Sequence, residues 1–404
     1  MEGLRGVIKP YAWGSTTAIP GLFDLPPSPT PVAEIWLGTH PAGPSDISSG
    51  LVYEPDATRS DRSLAGYVAA DPAGCLGAEL AQRSTALPYL VKLIAPARPL
   101  SLQVHPTAEQ AASRFAAEEA AGIPLDAPHR CYRDTNHKPE LLFALTEFET
   151  LAGFRAPRRV LEVLAGLGGT VAERLHHYLS RDLTRTGVKA AFEYLLTGDM
   201  GPGDLADLAE RCTARYRAGK SPSVRADRIV SHLAEHYPCD PGIAAALLLN
   251  PVSLAPGEAL FIPAGTVHAY LSGTGIEIMA NSDNVLRAGL TAKHIDVPEL
   301  LATVDYTAAP PVRIAPERVS RTTRTYYAPV DEFELSVSHL KDWTRPELLA
   351  GHGPRIVLTV SGAARVSTNR GTRTLNRGQA AFVRADEGPL SLQGVGMVVT
   401  ADVP

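Results

Sequence analysis

The chain lacks several features that mark particular classes of protein. Its 404 residues include four cysteines, Cys75, Cys131, Cys212 and Cys239, with no C-x-x-C pair. Neither a disulfide framework nor a thiolate zinc site is therefore indicated. No run of about eighteen apolar residues occurs, so the sequence predicts no membrane-spanning helix.

The net charge and the N-terminal sequence indicate which partners and which location the protein has. The formal net charge is -5, which argues against a nucleic-acid partner, because binding a phosphate backbone needs a concentrated basic surface. Residues 1–5 lack the apolar core of a signal peptide. We therefore expect a cytoplasmic protein that uses neither nucleic acid nor a membrane as a partner. No pattern determines the oligomeric state, and a monomer is the working expectation.

The distribution of apolar residues predicts a mainly β protein with a helical insertion. A chain of 404 residues should form two or three domains. Short apolar runs bounded by turn residues, such as residues 87–94, are typical of strands. Thr107 begins a capping-box pattern for one helix reaching to about residue 121. Between residues 158 and 237 the apolar residues follow helical spacing. We expect a β domain of residues 1–155 plus 240–320, a helical domain of 156–239, and a third domain of 321–404.

A hidden repeat supports the third domain. Five residues of one segment recur with identical order and spacing in another: Leu254, Gly257, Ala259, Phe261 and Ala264 correspond to Leu375, Gly378, Ala380, Phe382 and Ala385. The repeat predicts that the same β unit is used twice. His268 follows the first copy, whereas Pro389 stands at that position in the second. We expect the C-terminal domain to hold no metal.

Four potential metal ligands come from three distant segments. Gln103 and His105 lie two residues apart, which places them on one face of a predicted strand. Glu140 and His268 follow turn-forming Pro or Gly residues. Imidazole nitrogen and carboxylate oxygen are ligands that Zn²⁺ accepts, and a neutral glutamine oxygen would leave the ion a strong Lewis acid. We therefore predict one zinc ion per chain. The pair Gln103 and His105 by itself would be explained equally well by hydrogen bonds to neighbouring strands.

Charged and polar side chains surround these ligands in the sequence. Two precede Glu140 and five follow His268: His137 and Lys138, then Tyr270, Glu277, Asp283, Arg287 and Lys293. Such a density is typical of a reactive site.

A second histidine pattern, His232-Leu-Ala-Glu235-His236, matches the H-x-x-E-H motif of some zinc proteases. It lies at the end of the predicted helical region, where histidines are favoured by the helix dipole and by solvent. We interpret these histidines as surface residues that bind no metal.

Several motifs in one order resemble those of type I mannose-6-phosphate isomerases, zinc enzymes of the cupin superfamily. The motifs are Tyr11-Ala-Trp13-Gly, Ala33-Glu-Ile-Trp-Leu-Gly38, Ser101 to Pro106, Asn136-His-Lys-Pro-Glu140, Pro263-Ala-Gly265 and Glu277 to Gly289. The resemblance implies a cupin (jelly-roll) catalytic domain, an α-helical domain and a C-terminal cupin-like β domain. It places the metal ligands at Gln103, His105, Glu140 and His268. It places the active-site residues at Trp13, Lys138, Tyr270, Glu277, Asp283, Arg287 and Lys293.

The implied reaction is the interconversion of mannose 6-phosphate and fructose 6-phosphate through a cis-enediol(ate). This reaction needs a base at carbon and fixed positive charge at the developing oxyanion. Lys138 is the preferred base, if zinc and burial depress its pKa, and His137 is the rival. Zinc and Arg287 can supply the positive charge, while Glu277 and Asp283 could orient sugar hydroxyls.

Recognition of the phosphate group must use side chains, because the chain has no G-x-x-x-x-G-K-[ST] loop. The candidates are Ser101, Lys92, Lys293 and Arg287. Two other functions remain open: a non-catalytic cupin that binds metal and sugar, and a different metal-dependent cupin enzyme such as an iron oxygenase. An iron oxygenase usually uses two histidines and one carboxylate without glutamine.

Overall fold

The computed structural model describes residues 1–55, 57–58, 60–349 and 351–404. Within these ranges the chain is mainly β, with helices concentrated in one central block. The helices are α1 (Ala18–Leu22), α2 (Leu64–Ala70), α3 (Pro72–Leu76), α4 (Ala78–Ala81), α5 (Ala108–Ala120), α6 (Pro157–Leu164), α7 (Thr170–Arg181), α8 (Arg185–Thr197), α9 (Pro202–Arg217), α10 (Val224–His236), α11 (Gly242–Leu248) and α12 (Val297–Thr303).

The strands fall into three sheets over the same ranges. They are β1 (Glu2–Arg5), β2 (Val7–Lys9), β3 (Glu34–Gly38), β4 (Asp46–Ile47), β5 (Tyr89–Ile94), β6 (Leu102–Val104), β7 (Glu140–Ala144), β8 (Phe148–Phe154), β9 (Leu249–Leu254), β10 (Ala259–Ile262), β11 (His268–Ser272), β12 (Gly275–Ala280), β13 (Leu286–Gly289), β14 (Val312–Ile314), β15 (Glu317–Arg318), β16 (Thr323–Tyr327), β17 (Glu334–Leu349), β18 (Arg355–Thr359), β19 (Ala363–Thr368), β20 (Gly371–Asn376), β21 (Ala380–Val383) and β22 (Leu390–Asp402).

Two of the sheets enclose the region where the predicted ligands lie. A seven-stranded sheet has the order β14-β10-β7-β12-β5-β3-β2, and a five-stranded sheet has the order β13-β6-β11-β8-β9. A buried cluster between them includes Ile94 and Leu142 from the first sheet and Ala152 and Tyr270 from the second. The two sheets therefore pack face to face, as in a β-sandwich.

Helices α6 to α11 pack on the five-stranded sheet. Val160, Leu175 and Phe192 are buried in one cluster with Leu151 and Leu249 of β8 and β9. The predicted helical stretch is confirmed, and α11 extends it to residue 248. The capping box at Thr107 is also confirmed, since its side chain accepts a hydrogen bond from the backbone N–H of Gln110 at the start of α5. No helix in the described part of the chain is long and apolar enough to cross a membrane.

The third sheet contains ten strands and covers the outer face of the seven-stranded sheet. Val91 and Phe143 pack there against Tyr326 and Phe382. Strands β15 to β22 all belong to this sheet, and so do β1 and β4 from the N-terminal region. Strand β1 pairs antiparallel with β21. The domain boundaries given above stay a prediction.

The two copies of the sequence repeat adopt similar local structures. Gly257 has φ +90° and Gly378 has φ +75°, a left-handed conformation that favours glycine. Each glycine precedes a strand, β10 or β21, whose phenylalanine, Phe261 or Phe382, is buried. The shared spacing therefore encodes the same turn and strand twice.

Candidate active site and metal centre

A cavity of about 410 Å³ is lined by residues of the seven-stranded and five-stranded sheets and of the loops beside them. It brings together most of the predicted site residues. Those lining it are Trp13, Lys92, Ser101, Gln103, Lys138, Glu140, Tyr270, Glu277, Asp283, Arg287 and Lys293.

The predicted imidazole and carboxylate ligands meet at one point beside this cavity. His105 follows β6, Glu140 begins β7 and His268 begins β11. Each offers a ligand atom within 4.8 Å of the others, and all three residues are buried. Gln103 lies directly opposite His268 in the pairing of β6 with β11 and lines the cavity. Three remote segments therefore converge as the sequence predicted.

Hydrogen bonds fix the orientation of both imidazole rings. Nδ1 of His105 lies 2.8 Å from the carbonyl oxygen of Asn284, and Nδ1 of His268 lies 2.9 Å from that of Thr266. Because a carbonyl oxygen only accepts, each Nδ1 carries the hydrogen and each Nε2 presents a lone pair. Both Nε2 atoms are buried without a hydrogen-bond partner.

These lone pairs face the Glu140 carboxylate. Nε2 of His105 is 3.1 Å from Oε1 of Glu140, and Nε2 of His268 is 3.4 Å from Oε2. Burial, with Lys138 nearby, lowers the pKa of His105 to about 4, which favours the neutral ring at neutral pH. Two lone pairs opposite a carboxylate repel unless a cation lies among them, so this donor set fits a divalent metal ion.

Glu140 is ionised because several neighbours stabilise its charge. Burial alone would raise its pKa, but the positive charge of Lys138 outweighs that effect and holds the pKa well below the usual range. Nζ of Lys138 is 3.1 Å from Oε1, and the hydroxyl of Tyr270 donates to Oε2 at 3.2 Å. The Glu140 carboxylate thus contacts both the imidazoles of the potential ligand group and the buried amine of Lys138.

A second buried ion pair forms one wall of the cavity. Lys92 of β5 lies directly opposite Glu277 of β12, and their Nζ and Oε2 atoms are 2.7 Å apart. Strand alternation turns both side chains to the cavity while Val91 faces the third sheet. Burial, reinforced by Glu140, raises the pKa of Glu277. Burial alone would lower the pKa of Lys92, but Glu277 and Glu34 more than offset this and raise it.

Positive charge gathers at the cavity near its β13 side. Burial and Arg133 lower the pKa of Arg287, and burial and Arg287 lower the pKa of Lys293. Like charges this close favour an anionic ligand between them. Asp283 pairs with Arg133 at 3.2 Å and so balances only part of this charge.

His137 does not line this cavity, although it precedes Lys138. Its Nε2 lies 2.6 Å from Oε1 of Glu332, and both residues line a separate cavity of about 610 Å³. Neighbouring residues of the extended segment thus point to different sites. This placement gives no support to His137 as a base.

Three aromatic or acidic residues at the cavity escaped the sequence reasoning. Tyr11 stacks on Trp13 with ring centroids 5.7 Å apart, and Nε1 of Trp36 donates to Glu34 at 2.5 Å. All four residues line the cavity. Tyr11 and Trp13, and likewise Glu34 and Trp36, are two residues apart within motifs that the resemblance had named. Because residues two apart share one face of a strand, this spacing could have indicated that Tyr11, Glu34 and Trp36 also belong to the site.

The H-x-x-E-H pattern forms no comparable cluster. His232 and His236 lie on α10 with ring centroids 4.9 Å apart, but the side chain of Glu235 is 74% exposed. In the described ranges, the only group of three or more acidic, histidine or cysteine side chains close enough to share a metal is His105, Glu140 and His268.

Comparisons with known proteins agree on one family. The model of the phosphomannose isomerase type I catalytic domain matches residues 1–157. Mannose-6-phosphate isomerase from Escherichia coli strain K12 is 37% identical over 401 residues, 98% of each chain. The chain belongs to the mannose-6-phosphate isomerase family. The human mannose-6-phosphate isomerase is 31% identical over 417 residues, covering 95% of this chain and 93% of the human one.

Solved structures of mannose-6-phosphate isomerases share the fold. One bound with zinc and yttrium gives a TM-score of 0.86 at 34% identity, covering 100% of this chain and 99% of the other. Another, from Salmonella typhimurium and bound to fructose 6-phosphate and zinc, gives the same TM-score, identity and coverage. The cavity described above therefore lies in a chain with the fold of this isomerase family.

Proposed function

We propose that this chain is a zinc-dependent isomerase that interconverts mannose 6-phosphate and fructose 6-phosphate through a cis-enediol(ate). The observation that carries the proposal is the buried group of His105, Glu140 and His268, which adjoins a cavity lined by Lys138 and Arg287. Membership of the isomerase family supports the same reaction.

The fold proposal follows from the sheets around the site. We propose that the five-stranded and seven-stranded sheets form the jelly roll of a catalytic cupin domain, made of residues 1–155 and 240–320. Residues 156–239 would form the helical domain and 321–404 the metal-free cupin-like domain. The face-to-face packing of the two sheets supports this division, and the pairing of β1 with β21 is a departure from it.

The ion would be held by His105, Glu140 and His268, with Gln103 as a fourth ligand from the strand opposite His268. When bound, zinc supplies a Lewis acid that polarises a sugar oxygen. The protein orients the rings through their Nδ1 atoms and keeps both Nε2 lone pairs buried.

Lys138 is the proposed base for the proton at carbon. It is buried, lines the cavity and lies beside Glu140, so its amine can reach a sugar held at the ligand group. Arg287 would hold positive charge near the enediolate oxygen, and Glu277 and Asp283 would orient sugar hydroxyls or cationic side chains. In Lys138→Met we expect kcat to fall by about 10²- to 10⁴-fold with zinc retained. Near-normal exchange of the C2 proton with solvent in this variant would remove Lys138 from the role.

The phosphate group would bind where Arg287 and Lys293 lie close together, with Ser101 and Lys92 as further candidates. Lys293 is the least buried of these four residues and therefore the simplest to replace. In Lys293→Ala we expect KM for mannose 6-phosphate to rise about tenfold while turnover of free mannose is unchanged. Equal losses on the two sugars would contradict this assignment.

A coupled assay tests the function itself. Formation of fructose 6-phosphate from mannose 6-phosphate should be lost with a chelator and restored by zinc. A protein that binds zinc and sugar without turnover would instead be a non-catalytic cupin, and a protein purified with iron would favour another metal-dependent cupin enzyme.

We further propose that the chain acts as a cytoplasmic monomer on this small phosphorylated hexose, without nucleic acid or membrane as a partner. The net charge of -5 supports the exclusion of nucleic acid.

A further inference from the structure

Asn284 occupies an unusual position between β12 and β13. It is fully buried, and its side chain forms hydrogen bonds to one loop, residues 133–136. Its Oδ1 accepts from the backbone N–H groups of Arg133 at 2.7 Å and Asp134 at 3.2 Å. Its Nδ2 donates to the carbonyl oxygens of Asp134 and Asn136, each at 2.8 Å, and to Oδ1 of Asp134 at 3.2 Å. The loop held in this way leads directly to Lys138 and Glu140.

The backbone of Asn284 bonds to a different part of the site. Its carbonyl oxygen accepts from Nδ1 of His105 at 2.8 Å, the hydrogen bond that turns the lone pair of Nε2 toward Glu140. One residue therefore connects the ring orientation of His105 with the loop that precedes Glu140. Asn284 does not line the cavity. Any effect it has on the site therefore acts through the residues that it contacts.

We infer that Asn284 is a positioning residue: its side chain fixes the 133–136 loop and its own backbone together, so that His105 and Glu140 face one ion. This inference rests on the proposed function only in taking zinc as that ion. Outer partners of metal-binding histidines typically contribute about 10- to 100-fold in metal affinity. A buried amide that uses both its oxygen and its nitrogen on backbone groups tolerates no isosteric replacement, because each lost donor leaves a carbonyl oxygen unsatisfied.

The substitution Asn284→Asp tests the inference with almost no change of shape. It removes the three Nδ2 hydrogen bonds and turns a carboxylate oxygen toward the carbonyls of Asp134 and Asn136 and toward Oδ1 of Asp134. We expect the zinc dissociation constant, measured by competition with a chromogenic chelator, to rise about 10- to 100-fold. At saturating zinc, kcat should fall severalfold while KM for mannose 6-phosphate stays within about twofold, because Asn284 does not touch the cavity.

Two further variants separate positioning from a general loss of stability. Asn281→Asp makes the same change three residues earlier, where Nδ2 donates to the carbonyl of Leu87, and should leave zinc affinity within about twofold. Ser282→Ala removes a weaker link, since Ser282 Oγ accepts from Asn284 N–H and donates to the carbonyl of Asn136, both at 3.2 Å. We expect it to weaken zinc binding by about threefold.

Equal zinc affinity in Asn284→Asp and Asn281→Asp would overturn the inference. If Asn284→Asp does not fold, unchanged zinc affinity in Ser282→Ala overturns it, and a loss of about threefold supports it. A wild-type protein that binds zinc but lacks isomerase activity would contradict the proposed function, while the measurements of zinc affinity would still decide the role of Asn284.

Discussion

Replacing Lys92 with methionine tests the buried ion pair that forms one wall of the cavity. Nζ of Lys92 lies 2.7 Å from Oε2 of Glu277, and the two side chains are 7% and 3% exposed. Methionine keeps most of the volume of lysine but removes its charge. The carboxylate of Glu277 would then remain buried close to a second carboxylate, that of Glu140.

The expected cost can be worked out from this geometry. With an effective dielectric constant of about 20, two unit charges at this distance attract by roughly 6 kcal/mol, most of which offsets their desolvation. Breaking a buried pair by removing one partner typically costs about 3–5 kcal/mol, because the other charge stays buried. Lys138 still stabilises Glu277 in the variant, so we expect about 3 kcal/mol. Glu277→Gln should cost less, since Glu34 and Glu140 remain near Lys92.

The loss of stability should depend on pH. The folded-state pKa of Glu277 is already raised above its ordinary value, and removing Lys92 raises it further. The folded variant therefore binds this proton more tightly than the unfolded chain does. At low pH the carboxyl of Glu277 is protonated and the variant keeps this part of its free energy of unfolding. That part is lost as the pH rises through the folded-state pKa of Glu277. The difference from wild type should be larger at pH 8 than at pH 5.

Urea unfolding at the two pH values gives the free energies. Lys220→Met, the same change at an exposed lysine, should stay within about 0.5 kcal/mol of wild type. The double variant Lys92→Met with Glu277→Gln should be more stable than Lys92→Met alone. A cost below about 1 kcal/mol for Lys92→Met at pH 8 would refute the reasoning. A double variant no more stable than Lys92→Met would refute it as well.

Three further predictions concern the ligand group and the local structure. Glu140→Gln should weaken zinc binding by about a hundredfold or more in chelator competition, since it removes the only charged ligand, and unchanged affinity would contradict the ligand set. Thr107→Ala should lower the free energy of unfolding by about 1 kcal/mol through loss of the cap of α5, whereas no change would show that the cap contributes nothing. Gly257→Ala, at φ +90°, should destabilise by about 1–2 kcal/mol, while Gly203→Ala inside α9, where a Cβ meets no atom within 4 Å, should be neutral or stabilising. The reverse order would contradict the turn assignment.

The convergence of His105, Glu140 and His268 could be predicted from the sequence because local chemistry carried the signal, and their role as ligands stays a prediction. His105, Glu140 and His268 are residue types that bind zinc, each in a turn or strand context, and the structure places them within reach of one ion. The helical spacing of apolar residues between 158 and 237 likewise predicted the helical block. Family resemblance added Trp13, which lines the cavity.

Long-range pairing could not be predicted in this way. Lys92 and Glu277 are 185 residues apart in sequence, and their contact depends on the register of β5 and β12. The pairing of β1 with β21 depends on the whole fold. His137 shows the same limit, because nothing local indicates that its ring faces Glu332 rather than the cavity of Lys138. Side-chain direction on an extended segment is set by the partners that cover each face.

Zinc titration of chelator-treated protein tests the central claim most directly. Activity from mannose 6-phosphate to fructose 6-phosphate should be absent without metal, rise in proportion to added zinc, and level off at one ion per chain. The same titration of His268→Ala should show little recovery at that ratio. Full activity without zinc, or an activity that is independent of His268, would contradict the account.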